Sequence, residues 1–178
     1  MPRTSHSNHD GPAPRGRATP CGGRLNLLLS YAGWDHDSWV DRLPRLLEPM
    51  GVVALRAGTG REASEVLRNN PIHIAVVDLG LPLDEPCSKT PALEAPEMEE
   101  GGSRLLDLLS RLAEPPPTVV VKRGRTHRDD SREIAAALRA GAFAVVDRPH
   151  GLPDLEVMLE VLRRCMDRFY KSRWPGTT

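Results

Sequence analysis

A continuous apolar run that ends in a single aspartate is the feature that most constrains the fold of this chain. Residues 72–77 read Ile-His-Ile-Ala-Val-Val, and Asp78 and a Leu-Gly-Leu-Pro loop follow directly. Such a run is typical of a strand that is buried on both faces, as in parallel sheets. Open α/β folds keep their functional sites at the carboxyl edge of the sheet. Asp78 is therefore the first candidate for a functional residue.

Strands and helices are predicted to alternate along the rest of the chain. The predicted strands are Leu25–Ser30, Val52–Leu55, Ile72–Asp78, Thr118–Val121 and Phe143–Val146. The predicted helices are Asp35–Met50, Gly60–Asn69, Ser103–Leu112, Asp129–Ala140 and Pro153–Trp174. Pro44 predicts a kink in the first helix, and Gly141 predicts the end of the fourth. This alternation with short loops predicts an α/β fold, a parallel sheet with helices on both faces.

Composition divides the chain into one domain, two tails and an insertion. Residues 1–23 are rich in Pro, Gly, Ser and Arg and have almost nothing to bury, so they are predicted to be a disordered tail. Residues 24–172 form the domain, and residues 173–178 form a C-terminal tail. Residues 83–101 are rich in proline and acidic residues and are predicted to be a mobile surface insertion.

The bulk composition excludes several classes of protein. Lysine plus arginine (24) balances aspartate plus glutamate (24), so no global charge indicates nucleic acid or an anionic membrane as partner. Three widely spaced cysteines favour neither a disulfide framework nor a zinc site, which fits a reducing cytoplasm. No apolar run approaches the roughly 18 residues of a membrane span. The sequence contains neither a glycine-rich phosphate loop nor a nucleophile–base pair, so no motif indicates an enzyme.

Three motifs resemble parts of a known family. Asp78 lies in Val-Val-Asp-Leu-Gly-Leu-Pro, residues 51–63 combine Gly-Val-Val with Ala-Gly-Thr-Gly-Arg-Glu-Ala, and residues 140–149 lead from Ala-Gly-Ala to Val-Val-Asp-Arg-Pro. With these motifs the chain, from Leu25 to about Phe169, resembles the receiver domain of two-component response regulators. The resemblance implies a flavodoxin-like, doubly wound five-stranded parallel sheet. It also implies that Asp78 corresponds to the phospho-accepting aspartate.

The residues around that aspartate depart from the family. The family holds Mg²⁺ with an acidic pair after the first strand, and those positions are Ser30 and Tyr31 here. Its hydroxyl residue after the fourth strand is replaced by Lys122. Its pocket lysine is replaced by Arg148. Two further matching positions are Pro149, which is kept, and Val145, which replaces the aromatic switch residue.

The net charge around Asp78 indicates how these departures affect metal binding and phosphoryl transfer. Asp78, Lys122 and Arg148 sum to about plus one, whereas Mg²⁺ requires several oxygen ligands, usually from carboxylates. Without the metal, phosphoryl transfer loses its main electrostatic help. We therefore expect no cofactor and no catalysis, with Asp78 ionised and paired with Lys122 or Arg148. The chain is interpreted as a stand-alone, degenerate receiver (a pseudo-receiver) that acts in the cytoplasm through protein–protein contact.

The expected contact surface follows from the same resemblance. Family members bind partners and self-associate through the fourth helix, fifth strand and fifth helix, which here span roughly 132–169. The expected partner is another signalling protein (a kinase, regulator or output protein) or a second copy of the chain.

Two alternatives remain open from the sequence. The first is a working regulator that a histidine kinase phosphorylates on Asp78, with Mg²⁺ held by Asp35, Asp37 or acids of the insertion. Helix N-capping is the simpler explanation of those two aspartates. The second alternative is a small α/β enzyme or nucleotide binder that uses the carboxyl edge of the sheet.

Overall fold

The protein forms one five-stranded parallel sheet; numbered along the chain, its strands lie in the order 2-1-3-4-5. A computed structural model describes residues 24–32, 39–84, 101–122 and 127–170. The strands are β1 Leu25–Ser30, β2 Val52–Ala57, β3 Ile74–Asp78, β4 Thr118–Lys122 and β5 Ala144–Asp147. The helices are α1 Trp39–Leu47, α2 Gly60–Asn69, α3 Gly101–Ser110, α4 His127–Arg139 and α5 Leu152–Tyr170. The predicted order of elements and the predicted fold class are confirmed.

The boundaries differ from the predictions by a few residues at most element ends. Helix α1 stops at Leu47 and a 3₁₀ turn, Glu48–Met50, completes the segment that was predicted as one helix; Pro44 lies inside α1. Helix α3 begins at Gly101, two residues before its predicted start at Ser103. Most of the predicted insertion, residues 85–100, lies outside the described residues, as do both predicted tails.

The two faces of the sheet have separate apolar cores, because alternate residues of each strand point to opposite sides. On one face, strand residues such as Leu27 and Val76 pack with α1 and α5. On the other face, residues such as Leu28 and Val77 pack with α2 and α3, and Val120 packs with α3 and α4. All five residues of β3 are buried, as its continuous apolar run predicts.

Strand order places the end of β3 at the centre of the sheet. Strand β3 lies between β1 and β4, and the direction of winding reverses between β1 and β3. Pairing of β1 with β3 ends at Leu29 and Val76, and Asp78 pairs with Val121 of β4. Asp78 therefore lies in the crevice where open α/β sheets bind their ligands.

The loop after β3 is held against the start of α2 and α3. The backbone amides of Gly60 and Arg61 donate to the carbonyls of Pro82 and Leu83 at 2.8 and 3.1 Å. The Arg61 side chain also forms an ion pair with Asp84 at 2.7 Å. These contacts hold the loop that directly follows Asp78 against α2.

Candidate functional site at the end of β3

Asp78 is fully buried and both of its carboxylate oxygens accept hydrogen bonds. Its Oδ1 accepts from the backbone amide of Gly80 at 2.7 Å. This bond two residues along the chain is the turn that aspartate commonly forms with its own backbone. Its Oδ2 accepts from the backbone amide of Ala32 at 3.2 Å and from Arg148 Nη2 at 3.0 Å. The side chain has 0% exposure.

Arg148 is the cation that neutralises Asp78. It follows β5 and precedes the buried Pro149, and its side chain is 28% exposed. A charge-assisted bond to a buried carboxylate is stronger than a neutral one, and the loss of either partner leaves a buried charge uncompensated. The sequence offered Lys122 or Arg148 as the partner of Asp78, and the described residues place Arg148 there.

The hydroxyl of Ser30 forms two buried hydrogen bonds to the backbone of β3. Its buried hydroxyl donates to the carbonyl of Val76 at 3.1 Å and accepts from the amide of Asp78 at 3.3 Å. The serine thus extends the connection between β1 and β3 just past the point where their backbone pairing ends. Tyr31, the other position of the expected acidic pair, packs against the apolar cluster of α1 and α5.

Lys122 forms an ion pair with Asp147, a residue of the third motif that the charge count did not include. The Nζ of Lys122 lies 2.9 Å from Asp147 Oδ1, and the two side chains are 13% and 77% exposed. These residues are register partners at the ends of β4 and β5. Asp78 and Asp147 balance Lys122 and Arg148, so these four charges sum to zero. The charge of about plus one that the sequence predicted did not include Asp147. The pairing of β4 with β5 is the feature that identifies Asp147 as the partner of Lys122.

The remaining predicted positions lie in different surroundings. Val145 packs against the cluster formed by Val120, α3 and α4. The candidate metal ligands Asp35 and Asp37 lie outside the described residues.

A glycine that the sequence analysis did not consider holds α3 close to Asp78. A Cβ atom on Gly102 would lie directly against the carbonyl oxygen of Asp78 and 2.7 Å from the Cα of Leu79. The amide of Gly102 donates to the carbonyl of Leu81 at 3.2 Å. Only a residue without a side chain fits this contact between helix and loop.

Comparison with solved structures identifies the fold. The chain is similar to a CheY-like response regulator receiver domain protein from Methanospirillum hungatei, with 22% identity and a TM-score of 0.58 over 84% of this chain and 98% of that one. This chain has the receiver fold. A signal receiver domain of a putative LuxO repressor from Vibrio parahaemolyticus gives a TM-score of 0.54 at 16% identity, over 82% of this chain and 95% of that one. Neither the models of protein families nor the curated proteins contain a match.

Another neighbour with this receiver fold has a modified aspartate. A response regulator protein from Burkholderia pseudomallei, described with a phosphorylated aspartic acid, a calcium ion and citrate, has 19% identity and a TM-score of 0.53. The alignment covers 83% of this chain and 72% of that one.

The described residues around Asp78 do not fit a divalent cation. Mg²⁺ takes near-octahedral oxygen ligands, usually with one or more carboxylates. Asp78 is a single carboxylate whose two oxygens are already hydrogen-bonded, one of them to the guanidinium of Arg148. Within the described ranges, no three His, Cys, Asp or Glu side chains come together. Among the described residues, the positive charge beside the carboxylate of Asp78 belongs to Arg148.

None of the described helices combines the length and apolar character needed to cross a membrane.

Proposed function

We propose that this protein is a signalling protein of the pseudo-receiver type, which acts through protein–protein contact without phosphorylation of Asp78. The observation that carries the proposal is the 3.0 Å ion pair between the fully buried Asp78 and Arg148. In this interpretation Arg148 supplies beside Asp78 the positive charge that a metal ion supplies beside the aspartate of a phosphorylated receiver.

The hydrogen bonds of Asp78 support this proposal. To accept a phosphoryl group, a carboxylate oxygen must be accessible and must attack phosphorus. Here Oδ1 is bonded to the amide of Gly80, and Oδ2 is bonded to Ala32 and Arg148. Transfer would first have to break a charge-assisted bond, and the described residues contain no group of acidic side chains that could hold a metal ion.

The ion pair between Asp78 and Arg148 also stabilises one arrangement of the site in the proposed function. Arg148 joins the segment after β5 to the end of β3, 70 positions earlier in the chain. A bond across the sheet edge holds these segments in one arrangement in the absence of any ligand. The function assigned to the protein is accordingly binding, not catalysis, and it requires no cofactor.

The proposed contact surface is formed by α4, β5 and α5. Four large apolar side chains on α4 and α5 are at least half exposed: Leu138 50%, Leu152 60%, Val157 59% and Phe169 50%. Burial of exposed apolar side chains by a partner favours association, because it removes apolar surface from water. The proposed partner is another signalling protein, such as a kinase, a regulator or an output protein.

The test is incubation with Mg²⁺ and a small-molecule phosphodonor, followed by intact mass spectrometry. We expect no phosphoryl adduct, and no change in fluorescence or circular dichroism with Mg²⁺ and beryllofluoride. The Asp78→Asn variant is the control for adducts elsewhere in the chain. An adduct that is present in the native protein and absent in this variant would contradict the proposal. It would favour the working phospho-accepting regulator, the form described for the Burkholderia neighbour.

A second test addresses the binding role. A partner captured by the native protein should bind the Asp78→Asn variant with similar affinity, provided that the variant is folded. Loss of binding by a folded Asp78→Asn protein would show that the acid itself, rather than the surface of α4, β5 and α5, is required.

A further inference from the structure

The amino edge of the sheet, where the five strands begin, carries an exposed aromatic pair. Phe169 lies in the last turn of α5 and is half exposed. Its ring centroid lies 5.9 Å from that of Phe143, the residue before β5, in an edge-to-face arrangement. The guanidinium carbon of Arg168 lies 6.0 Å from the centroid of the Phe169 ring. This edge therefore offers a flat apolar ring with a cation beside it.

Exposed arginines are concentrated at the same edge. Each helix returns the chain from the carboxyl edge of the sheet to its amino edge, so all five helices end there. One arginine precedes β1, and one lies in the last turn of each helix or directly after it: Arg24, Arg45, Arg68, Arg111, Arg139 and Arg168. Among the described residues, the acids near these helix ends are fewer: Glu48, Asp107, Glu114 and Asp167.

The cations of the two edges differ in their partners. At the carboxyl edge, four cations each form an ion pair with an acid: Arg56, Arg61, Lys122 and Arg148. No ion pair joins any of the six arginines of the amino edge to an acid in the described part of the chain. Positive charge is thus neutralised within the chain at one edge and available to an external anion at the other.

Helix dipoles explain one arginine at a helix end, but not the whole edge. A cation in the last turn stabilises the partial negative charge of that helix end. The dipole gives no reason for a half-exposed phenylalanine beside the arginine, because burial of that ring would stabilise the fold. The sequence on both sides is also basic. Residues 1–23 contain three arginines and one aspartate, and residues 171–178 contain one lysine, one arginine and no acid.

The charge balance of the whole chain conceals this separation. Five glutamates and one lysine lie in residues 85–100, which follow the loop at the carboxyl edge in the sequence. The net charge of zero is therefore the sum of regions of opposite sign. A zero sum gives no argument against an anionic ligand at the basic edge.

We propose that the amino edge of the sheet binds single-stranded nucleic acid. Phosphate groups contact arginines such as Arg139 and Arg168, and an unpaired base stacks on Phe169. A guanidinium matches two phosphate oxygens at once, and an aromatic side chain binds any base through its flat face. A duplex keeps its bases stacked inside, and carboxylates of an acidic peptide match only the charge. This binding goes beyond the proposed function and does not involve Asp78.

Fluorescence anisotropy of a labelled oligothymidylate of about 20 nucleotides, titrated with the full chain, tests the proposal. We expect a Kd on the order of 10 µM at low salt, typical of binding without sequence preference. The logarithm of the affinity should fall with the logarithm of the salt concentration with a slope of about −3 to −4, as for roughly five phosphate contacts.

Two variants separate the contribution of charge from that of stacking. Arg168→Gln should make the salt slope shallower by about 0.7, because one phosphate contact is lost. Phe169→Leu should weaken binding about tenfold and leave the slope unchanged, because it removes a flat ring and no charge. Arg61→Gln removes a cation of the carboxyl edge that is already paired with Asp84, and it should change neither quantity. Thermal melting checks that each variant is folded.

The outcomes distinguish this edge from other anionic partners. Absence of binding at low salt, or equal losses in Arg61→Gln and Arg168→Gln, would overturn the proposal. Binding that Phe169→Leu does not weaken, with poly-glutamate or phosphatidylserine vesicles bound as tightly as the oligonucleotide, would assign the edge to an acidic protein or a membrane instead. None of these results depends on whether Asp78 accepts a phosphoryl group, so the proposed function is tested separately.

Discussion

Asp78 and Arg148 are 70 positions apart in the chain, and the guanidinium Nη2 of the arginine lies 3.0 Å from the buried Oδ2 of the aspartate. The pair is formed where β3 ends and where the chain leaves β5. The aspartate has no exposed surface, whereas the arginine side chain retains 28% exposure. The contact therefore depends on both segments, and a change to either partner should have a measurable effect on the fold.

Replacement of Arg148 by alanine should lower the free energy of unfolding by about 2–3 kcal/mol, less than the loss of a wholly buried partner because the arginine is partly exposed. The physical reason is that the buried carboxylate loses its counter-ion. Urea denaturation measures the change. Arg61→Ala, which removes the exposed ion pair with Asp84, is the matched control and should cost less than about 1 kcal/mol. Equal losses in the two variants would contradict the assigned importance of the buried pair.

The coupling between the two residues can be measured with a double-mutant cycle. Asp78→Asn and Arg148→Ala should be non-additive by about 1–2 kcal/mol, because they remove the same interaction. Additive losses would show that Arg148 stabilises the fold through other contacts.

Replacement of Gly102 by alanine should destabilise the protein by at least about 2 kcal/mol, because its Cβ would meet backbone atoms that cannot yield easily. Those atoms belong to Asp78 and Leu79, so the substitution would also displace the loop that holds the aspartate. Gly58→Ala is the control, since the nearest atom to its Cβ is a flexible Glu62 oxygen at 3.6 Å. Guanidinium denaturation measures the free energy of unfolding of both variants. If Gly102→Ala were as stable as the native protein, the close packing of α3 against the loop would be refuted.

Replacement of Ser30 by alanine should cost about 1–2 kcal/mol, because the amide of Asp78 and the carbonyl of Val76 lose their buried hydroxyl partner. Ser64→Ala provides the comparison, as that hydroxyl bonds only to a helix carbonyl within α2 and should contribute less. Urea denaturation of both variants provides the measurement. If the two substitutions had the same effect, the serine would not be a link between β1 and β3.

The thiol of Cys165 should be unreactive in the native protein. The residue has 0% exposure, and burial raises the pKa of its thiol from 9.0 to about 12. In a protein with Cys21→Ser and Cys87→Ser, we expect iodoacetamide at pH 8 to react at least about a hundredfold faster in urea than in buffer, since the thiolate is the reactive form. Comparable rates would show that α5 opens readily.

The same pKa shift predicts a pH dependence of stability. Because its pKa is raised, the thiol of Cys165 stays protonated in the folded protein. Its full contribution to the free energy of unfolding is therefore present below pH 9. It is lost as the pH rises from 9 towards 12, because only the unfolded chain then releases the proton. Between these values the thiol should reduce the free energy of unfolding by about 1.4 kcal/mol per pH unit, relative to the Cys165→Ala variant. Urea denaturation at several pH values measures the free energy of unfolding of both proteins. If it changed with pH in the same way in both, the raised pKa of Cys165 would be contradicted.

Much of the architecture could be predicted from the sequence because local patterns determine it. The apolar run before Asp78 is typical of an interior strand, and Gly141 follows α4 with the positive φ of 91° that glycine adopts readily. The element ends were less predictable. Gly101 and Gly102 belong to α3 because backbone contact with the β3 loop favours glycine there, a tertiary reason that helix propensity does not include.

The candidate site was predictable as a position but not as a set of contacts. Sequence by itself placed an acid at the carboxyl end of an interior strand and two cations in segments near the same edge. Tertiary structure alone decided that Arg148 reaches Asp78, that Lys122 turns to Asp147, and that Ser30 links two strands. The physical reason is that an ion pair depends on strand order, register and side-chain direction, which arise only when distant segments pack together.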